Sequence, residues 1–148
     1  MTVRTRLLDR DVGRALSAVS AAAKKGLGDP ALAELVVIRA SQLNHCAFCL
    51  DMHLTVAREL GVSERQLALL AAWEEAEGVF DERERAALAL TEAVTVVTDG
   101  FVPDSVYAAA ARRFDEGQLA HLIGLITAIN SWNRVMVSRR IEPGGYQP

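Results

Sequence analysis

Glu34-Leu-Val-Val-Ile-Arg-Ala-Ser-Gln-Leu-Asn-His-Cys46-Ala-Phe-Cys49-Leu-Asp-Met-His53 is the stretch on which the reading of this chain turns, and it holds both cysteines of the protein. On a helix turning by about 100° per residue, Cys46, Cys49 and His53 fall within about 60° of one another. Two thiols and an imidazole then share one face. That set suits dithiol redox chemistry with a built-in acid/base, or a metal site. Asn44 reads as the N-cap of this helix. Cys46 then lies in the first turn, where unpaired N–H groups and the positive end of the helix dipole favour a thiolate. His53 follows Cys49 by four residues, so the two side chains are neighbours on the helix surface. A neutral imidazole can take the thiol proton, and the imidazolium formed further favours the thiolate. Glu34, on the preceding helix, is placed to orient His53 or relay protons if it points inward.

Outward from this stretch the sequence is rich in Ala and Leu and punctuated like a set of helices. A first helix is expected from about Asp9 to Lys25, stopping at Gly26, with Lys24 and Lys25 where a helix C-terminus favours cations. Asp29-Pro30 reads as an N-cap followed by proline at the first helical position, opening a second helix to about Leu43. Leu32, Leu35, Val36 and Ile38 keep close to helical spacing. The third helix carries the Cys/His cluster and ends at Gly61. Ser63-x-x-Gln66 has the capping-box pattern for a fourth, to about Glu77. Asp81-x-x-Glu84 opens a fifth that closes near Gly100. Pro103-Asp104 starts a short sixth, and the last long helix runs from about Asp115 to about Arg139. The β-branched run Val94-Thr-Val-Val97 sits inside a helical pattern and is read as helical. Residues 142–148 read as irregular. No segment alternates long enough to demand a strand. Leu32-Ala-Glu-Leu35 and Leu119-Ala-His-Leu122 look alike, which two amphipathic helices with similar needs explain better than a duplication does.

The bulk numbers narrow the class. At 148 residues the chain is read as one domain, residues 1–148, with the CxxC core at about residues 30–80. Hydrophobic residues at 51% argue against disorder, and a net charge of −3 gives no reason to expect a nucleic-acid binder. Two cysteines are not a secreted disulfide framework. The N-terminus is a poor signal peptide, because Arg4, Arg6, Asp9, Arg10, Asp11 and Arg14 break it up. The longest strongly apolar stretch, Leu119–Ile129, is too short for a membrane span. A cytoplasmic protein with no membrane partner is expected.

Other readings of the marked residues stand beside the redox one. The cysteines could be an inert buried pair. Zinc would recruit His45, Cys46, Cys49 and His53, but His45 is rotated about 100° off the shared face, and one continuous helix rarely converges four ligands tetrahedrally. No metal is therefore assigned. His45 reads as a partly exposed flanking residue, His121 as a satisfied core histidine, and Glu74, Glu75 and Glu77 as a solvated face.

The stretch from Glu34 to His53 resembles the core of the alkylhydroperoxidase D / carboxymuconolactone decarboxylase family: Glu, then Cys-x-x-Cys beginning twelve positions on, then x-x-x-His, with Asn shortly before the first Cys and Arg-Glu-Leu-Gly closing the helix. Ser63-Glu-x-Gln66, Asp81-x-Arg-Glu-Arg85-Ala-Ala-Leu-Ala-Leu and Asn130-Ser-Trp132-Asn133-Arg134 resemble its later helices. The likeness covers about residues 30 to 140. It implies an all-α bundle of about six to seven helices that assembles as a homo-oligomer, commonly a trimer or hexamer. It also implies an antioxidant thiol peroxidase or disulfide reductase acting on alkyl or hydrogen peroxides. By the same resemblance Cys49 is the peroxidatic thiol, Cys46 the resolving one, and His53 with Glu34 the proton relay. No cofactor is implied. An external dithiol, protein-borne or of lipoyl type, is the implied reductant. One position departs from the pattern: where the best-known peroxidases carry a second histidine between the cysteines, this chain has Phe48. The decarboxylase branch lacks the Cys pair. Two alternatives remain open, a non-redox acid/base enzyme of the decarboxylase type and a redox sensor without turnover.

Overall fold

Helix starts follow the side chains that cap them. In the computed structural model, which describes residues 7–144, the Asp9 carboxylate accepts from the Asp11 and Val12 amides and opens α1 (Arg10–Leu27). Asp29 caps α2 (Pro30–Leu43), with proline at its first position. α3 spans Ala47–Glu59. Ser63 caps α4 (Glu64–Leu69), which tightens into a 3₁₀ turn over Leu70–Ala72. Asp81 and Glu84 form a reciprocal capping box at the start of α5 (Glu82–Thr95). α6 covers Asp104–Arg113, and Asp115 with Gln118 boxes the start of α7 (Glu116–Arg139). The described residues contain seven α-helices and no strand, as the helical punctuation predicts.

α2 organises the packing. Every position from Leu32 to Ile38 is buried, so this helix is apolar all round rather than amphipathic. Leu32, Ala33, Val36, Val37 and Ala40 join a core built with Ala23 and Leu27 of α1 and Leu122, Leu125, Ile126 and Ile129 of α7. Leu35 and Ile38 face the other way, into a second core with Leu67, Leu70, Trp73 and Leu88. Fully burying a side chain of this kind contributes about 1.5–3 kcal/mol. The exception in the run is Glu34, 2% exposed, and a carboxylate at that depth needs partners.

Several boundaries differ from those expected. α1 passes through Gly26 to Leu27, and Gly28 takes the left-handed C-cap conformation with φ 68°. Gly26 is instead a packing glycine, since a Cβ there would overlap the His121 ring. α4 stops well short of Glu77 because the Arg85 guanidinium donates to the carbonyls of Trp73 and Glu74 at 3.0 and 3.1 Å, holding that segment in turns. Only half of the capping box at Ser63 forms. The Gln66 amide N–H bonds Ser63 Oγ, but its side chain reaches the Val79 carbonyl and Glu84 instead of turning back. α5 ends at Thr95, leaving Val96 and Val97 exposed and outside the helix. His121 is exposed, not a core residue, and its Nδ1 donates to the Gly117 carbonyl one turn back. Glu74, Glu75 and Glu77 are exposed. The irregular tail is seen as far as Gly144; residues 145–148, and Arg4 and Arg6 at the other end, lie outside the described residues. Among the described residues no helix is long and apolar enough to cross a membrane.

Candidate active site

The largest local departure from expectation lies at the cysteines. Asn44 does not cap α3; it ends α2, its amide N–H bonding back to the Ala40 carbonyl. His45 follows with φ 53°, in the left-handed region, and Cys46 is itself the N-cap. The Cys46 Sγ accepts the Cys49 amide N–H at 3.3 Å. Cys46 is thus one position outside the helix rather than within its first turn, and a free N–H of that first turn points at its sulfur. Cys46 and Cys49 are joined as a disulfide, with Cα atoms 5.3 Å apart. Both are nearly inaccessible, at 1% and 2% exposed.

Glu34 and His53 are brought together as the spacing allows. His53 Nδ1 lies 2.7 Å from Glu34 Oε2, and Lys24 Nζ lies 2.7 Å from Glu34 Oε1. Three helices supply this triad: Lys24 from α1, Glu34 from α2 and His53 from α3. Burial alone would push the Glu34 carboxyl up, but hydrogen bonds from His53 and Lys24, with their charges, outweigh it and hold the carboxyl below its ordinary value. An ionised carboxylate only accepts, so Nδ1–H donates and Nε2 is the imidazole nitrogen left for chemistry.

Lys24 was visible in the sequence only as a cation near a helix end. Its partner lies ten residues on, across a tight turn, and no local pattern signals that contact. The one hint was an acidic residue in an otherwise apolar helix, which must find a cation somewhere.

A cavity of about 840 Å³ opens beside the triad. Cys49, His53 and Lys24 reach its wall, and Cys46 does not. Most of the rest is apolar: Val37, Phe48, Leu125, Ile129, Trp132 and Met136. Phe48, which stands between the cysteines, is 6% exposed and packs in a cluster with both of them and Met136. An apolar wall, not a second imidazole, therefore stands beside the disulfide. His45 is exposed and does not line the cavity. Among the described residues no cluster of three or more His, Cys, Asp or Glu side chains is placed to hold a metal ion.

Behind Cys46 runs a partly buried amide network that no local sequence pattern signals. Asn44 Nδ2 donates to Asn130 Oδ1 and Asn133 Oδ1, each at 2.9 Å. Asn133, fully buried, donates from Nδ2 to Ser41 Oγ, which in turn donates to the Val37 carbonyl. Asn130 reaches Thr95 Oγ1. The Cys46 amide N–H bonds the Ser41 carbonyl at 3.0 Å. The α2–α3 corner is tied in this way to α7.

Comparison with known proteins places this arrangement. Residues 10–93 match the profile of the Carboxymuconolactone decarboxylase family. The chain is 42% identical over 105 residues to YdfG of Bacillus subtilis (strain 168), an uncharacterised protein, covering 71% of each chain. It is 36% identical over 99 residues to YnjA of Escherichia coli (strain K12), also uncharacterised, spanning 66% of this chain and 53% of that one. A solved protein of unknown function from Agrobacterium tumefaciens, described as a candidate AhpD antioxidant defence protein, superposes with a TM-score of 0.90 at 30% identity, covering 96% of this chain and 98% of that one. An uncharacterised peroxidase-related protein from Silicibacter sp. TM1040 shares the fold, with a TM-score of 0.73 at 19% identity over 88% of this chain and 69% of that one. With its profile matched over more than half its length, this chain belongs to the carboxymuconolactone decarboxylase family.

Proposed function

We propose that this chain is a thiol peroxidase of the alkylhydroperoxidase D kind, cycling Cys46 and Cys49 between dithiol and disulfide with His53 and Glu34 as proton relay. The observation that carries the reading is a disulfide with one sulfur's residue on the cavity wall, beside a histidine held by an ionised glutamate. In the reduced protein His53 Nε2 takes the Cys49 proton. The thiolate attacks the terminal peroxide oxygen, the O–O bond breaks, and the departing alkoxide takes the proton back, leaving Cys49 as a sulfenic acid. The Cys46 sulfur then displaces hydroxide from the Cys49 sulfur, forming the disulfide and releasing water. An external dithiol, protein-borne or lipoyl-type, attacks Cys49 and restores both thiols. The net change is peroxide plus dithiol to alcohol, water and disulfide.

The N-cap position of Cys46 favours that last step. As Cys46 leaves, the Cys49 N–H at 3.3 Å stabilises its thiolate. The regenerating dithiol calls for a reducing compartment, as the cytoplasm provides. Assembly as a trimer or hexamer belongs to the same reading. Exposed Val12, Val19 and Met52 supply apolar surface for it, and Met52 also lines the cavity. Light scattering at micromolar concentration tests it, a clean monomer counting against it.

The deciding experiment is peroxide consumption by the purified protein with a panel of dithiol donors, beside Cys49→Ser. Turnover that needs a dithiol and vanishes in C49S supports the proposal. Turnover of a small acid or lactone that survives loss of both thiols would move the assignment to acid/base chemistry on the same Glu34–His53 pair. Oxidation without recycling by any donor would make the chain a redox sensor.

A further inference from the structure

From the amide network behind the disulfide, we infer that the Asn44–Asn133–Ser41 clamp is a positioning device that holds Cys46 in striking range of Cys49. The inference concerns the resolving step and rests on the thiol cycle proposed above. Cys49 sits inside α3 and is held by the helix itself. Cys46 is not; it stands at the N-cap with φ −88° and ψ 93°. Its place is set by the corner before it, where His45 adopts φ 53°. A non-glycine residue there is in a sparsely populated conformation that persists only where surroundings over-determine it.

Those surroundings come from α7, nearly ninety residues away. Asn44 spends both amide hydrogens on α7, one on Asn130 Oδ1 and one on Asn133 Oδ1. Asn133 has no exposed surface, and returns a hydrogen bond at 3.0 Å to Ser41, the residue whose carbonyl receives the Cys46 amide. The clamp therefore closes on the backbone on both sides of His45. A hydrogen-bonded network of this kind, with Asn133 and Ser41 at its buried centre, rigidifies what it touches. None of its members lines the cavity.

A group that fixes only Cys46 should affect disulfide closure and leave peroxide attack alone. Once Cys49 is a sulfenic acid, closure needs the Cys46 sulfur at bonding distance. A loosened corner lowers the fraction of time it is there, and the longer-lived sulfenic acid is open to a second peroxide, which carries it to sulfinic acid.

The test uses N44A and N133A in the full chain, with circular dichroism melts to establish that each is folded at the assay temperature. The first measurement is the dithiol–disulfide equilibrium against dithiothreitol, which needs no peroxide. Each variant should form the disulfide at least about tenfold less favourably, a shift of about 30 mV. The second is rapid mixing with peroxide and a sulfenic-acid trap. The first oxidation should keep its wild-type rate, while closure slows about tenfold and trapped sulfenic acid accumulates. The double variant should lose less than the sum of the two single losses, because the two residues share the Asn44–Asn133 hydrogen bond. A wild-type equilibrium constant in either folded variant overturns the clamp, as does an equal slowing of oxidation and closure. If N133A does not fold, N44A alone decides. If wild-type protein fails to react with peroxide, the peroxidase reading falls, and the dithiothreitol equilibrium still tests the clamp.

Discussion

Glu34 and Glu84 are glutamates that folding draws away from water, and their surroundings push them in opposite directions. Around Glu34, burial is outweighed by His53 and Lys24, and its pKa is lowered. Around Glu84, burial raises the pKa; its donors, the Asp81 N–H and the Gln66 amide, are neutral, and Asp81 and Asp29 add like charge. The difference separates a carboxylate that closes a helix end from one kept ionised at depth. The second kind needs two cation-capable side chains committed to it from two other helices. A related contrast divides two regions: an apolar core of Leu35, Ile38, Leu67, Leu70 and Leu88 lies on the α4–α5 side, and the α2–α3 corner gathers charge, amides and a disulfide.

The largest expected effects fall on the α2–α3 corner and leave the other side untouched. His53→Ala should lower kcat/KM for peroxide per folded molecule by about 10²–10⁴-fold, the contribution of a positioned acid/base group; it should also lower the melt, because it strips the buried Glu34 carboxylate of one of its two partners. Stopped-flow peroxide consumption measures the first effect, and an unchanged rate removes the histidine from the mechanism. Leu70→Ala is the mirror image. Leu70 is fully buried in the second core, so its truncation should cost about 2–5 kcal/mol in urea unfolding while kcat per folded molecule holds.

These expectations lean on residues whose placement was legible to different degrees. Helix starts at Asp9, Asp29, Ser63, Asp81 and Asp115 were readable, because a cap is a contact within three residues. The Glu34–His53 pairing was readable as a possibility, because one tight corner joins their helices. What escaped was decided at long range. Asn44 looked like an N-cap by residue type, but its amide is taken by Asn130 and Asn133, and the cap fell to a cysteine. Lys24 looked like a dipole partner and is the second counter-ion of Glu34. Val96 and Val97 looked helical, but the chain leaves the helix at Thr95, whose hydroxyl accepts from Asn130. In each case the outcome depended on which distant side chain won a hydrogen bond, and periodicity carries no such information.

Glu34→Gln should fall between the extremes, with activity down about 10²-fold because the imidazole keeps a partner but loses the charge facing it. Its stability signature is a matter of sign. Glu34's pKa is depressed in the folded protein, so its carboxylate contributes stability above the unfolded-chain value near 4.5, and that contribution is lost as pH falls through the lower folded value. Glu84 works in reverse: with a raised folded pKa, its contribution is complete below about the same unfolded value and disappears as pH rises through the folded one. Urea melts between pH 3 and 6, a range of about three units around that value, should therefore lose slope of opposite sign in E34Q and E84Q. Slopes of the same sign would abolish the contrast. The smallest expected effect is Glu84→Gln on function. A Gln still caps the Asp81 N–H, so activity should be unchanged and stability at pH 7 altered by less than about 0.5 kcal/mol.

Trp132 packs against the cluster that holds the disulfide and lines the cavity, whereas Trp73 lies in the second core with its indole N–H bonded to Glu92 at 2.7 Å. These are the two tryptophans of the chain. A disulfide accepts an electron from an excited indole and darkens it, and a pair of thiols does so far less. The protein thus carries a native optical gauge. Emission from Trp132 should brighten as the disulfide opens, against the background from Trp73, so that fluorescence during dithiothreitol reduction would follow the redox state of the pair without a label.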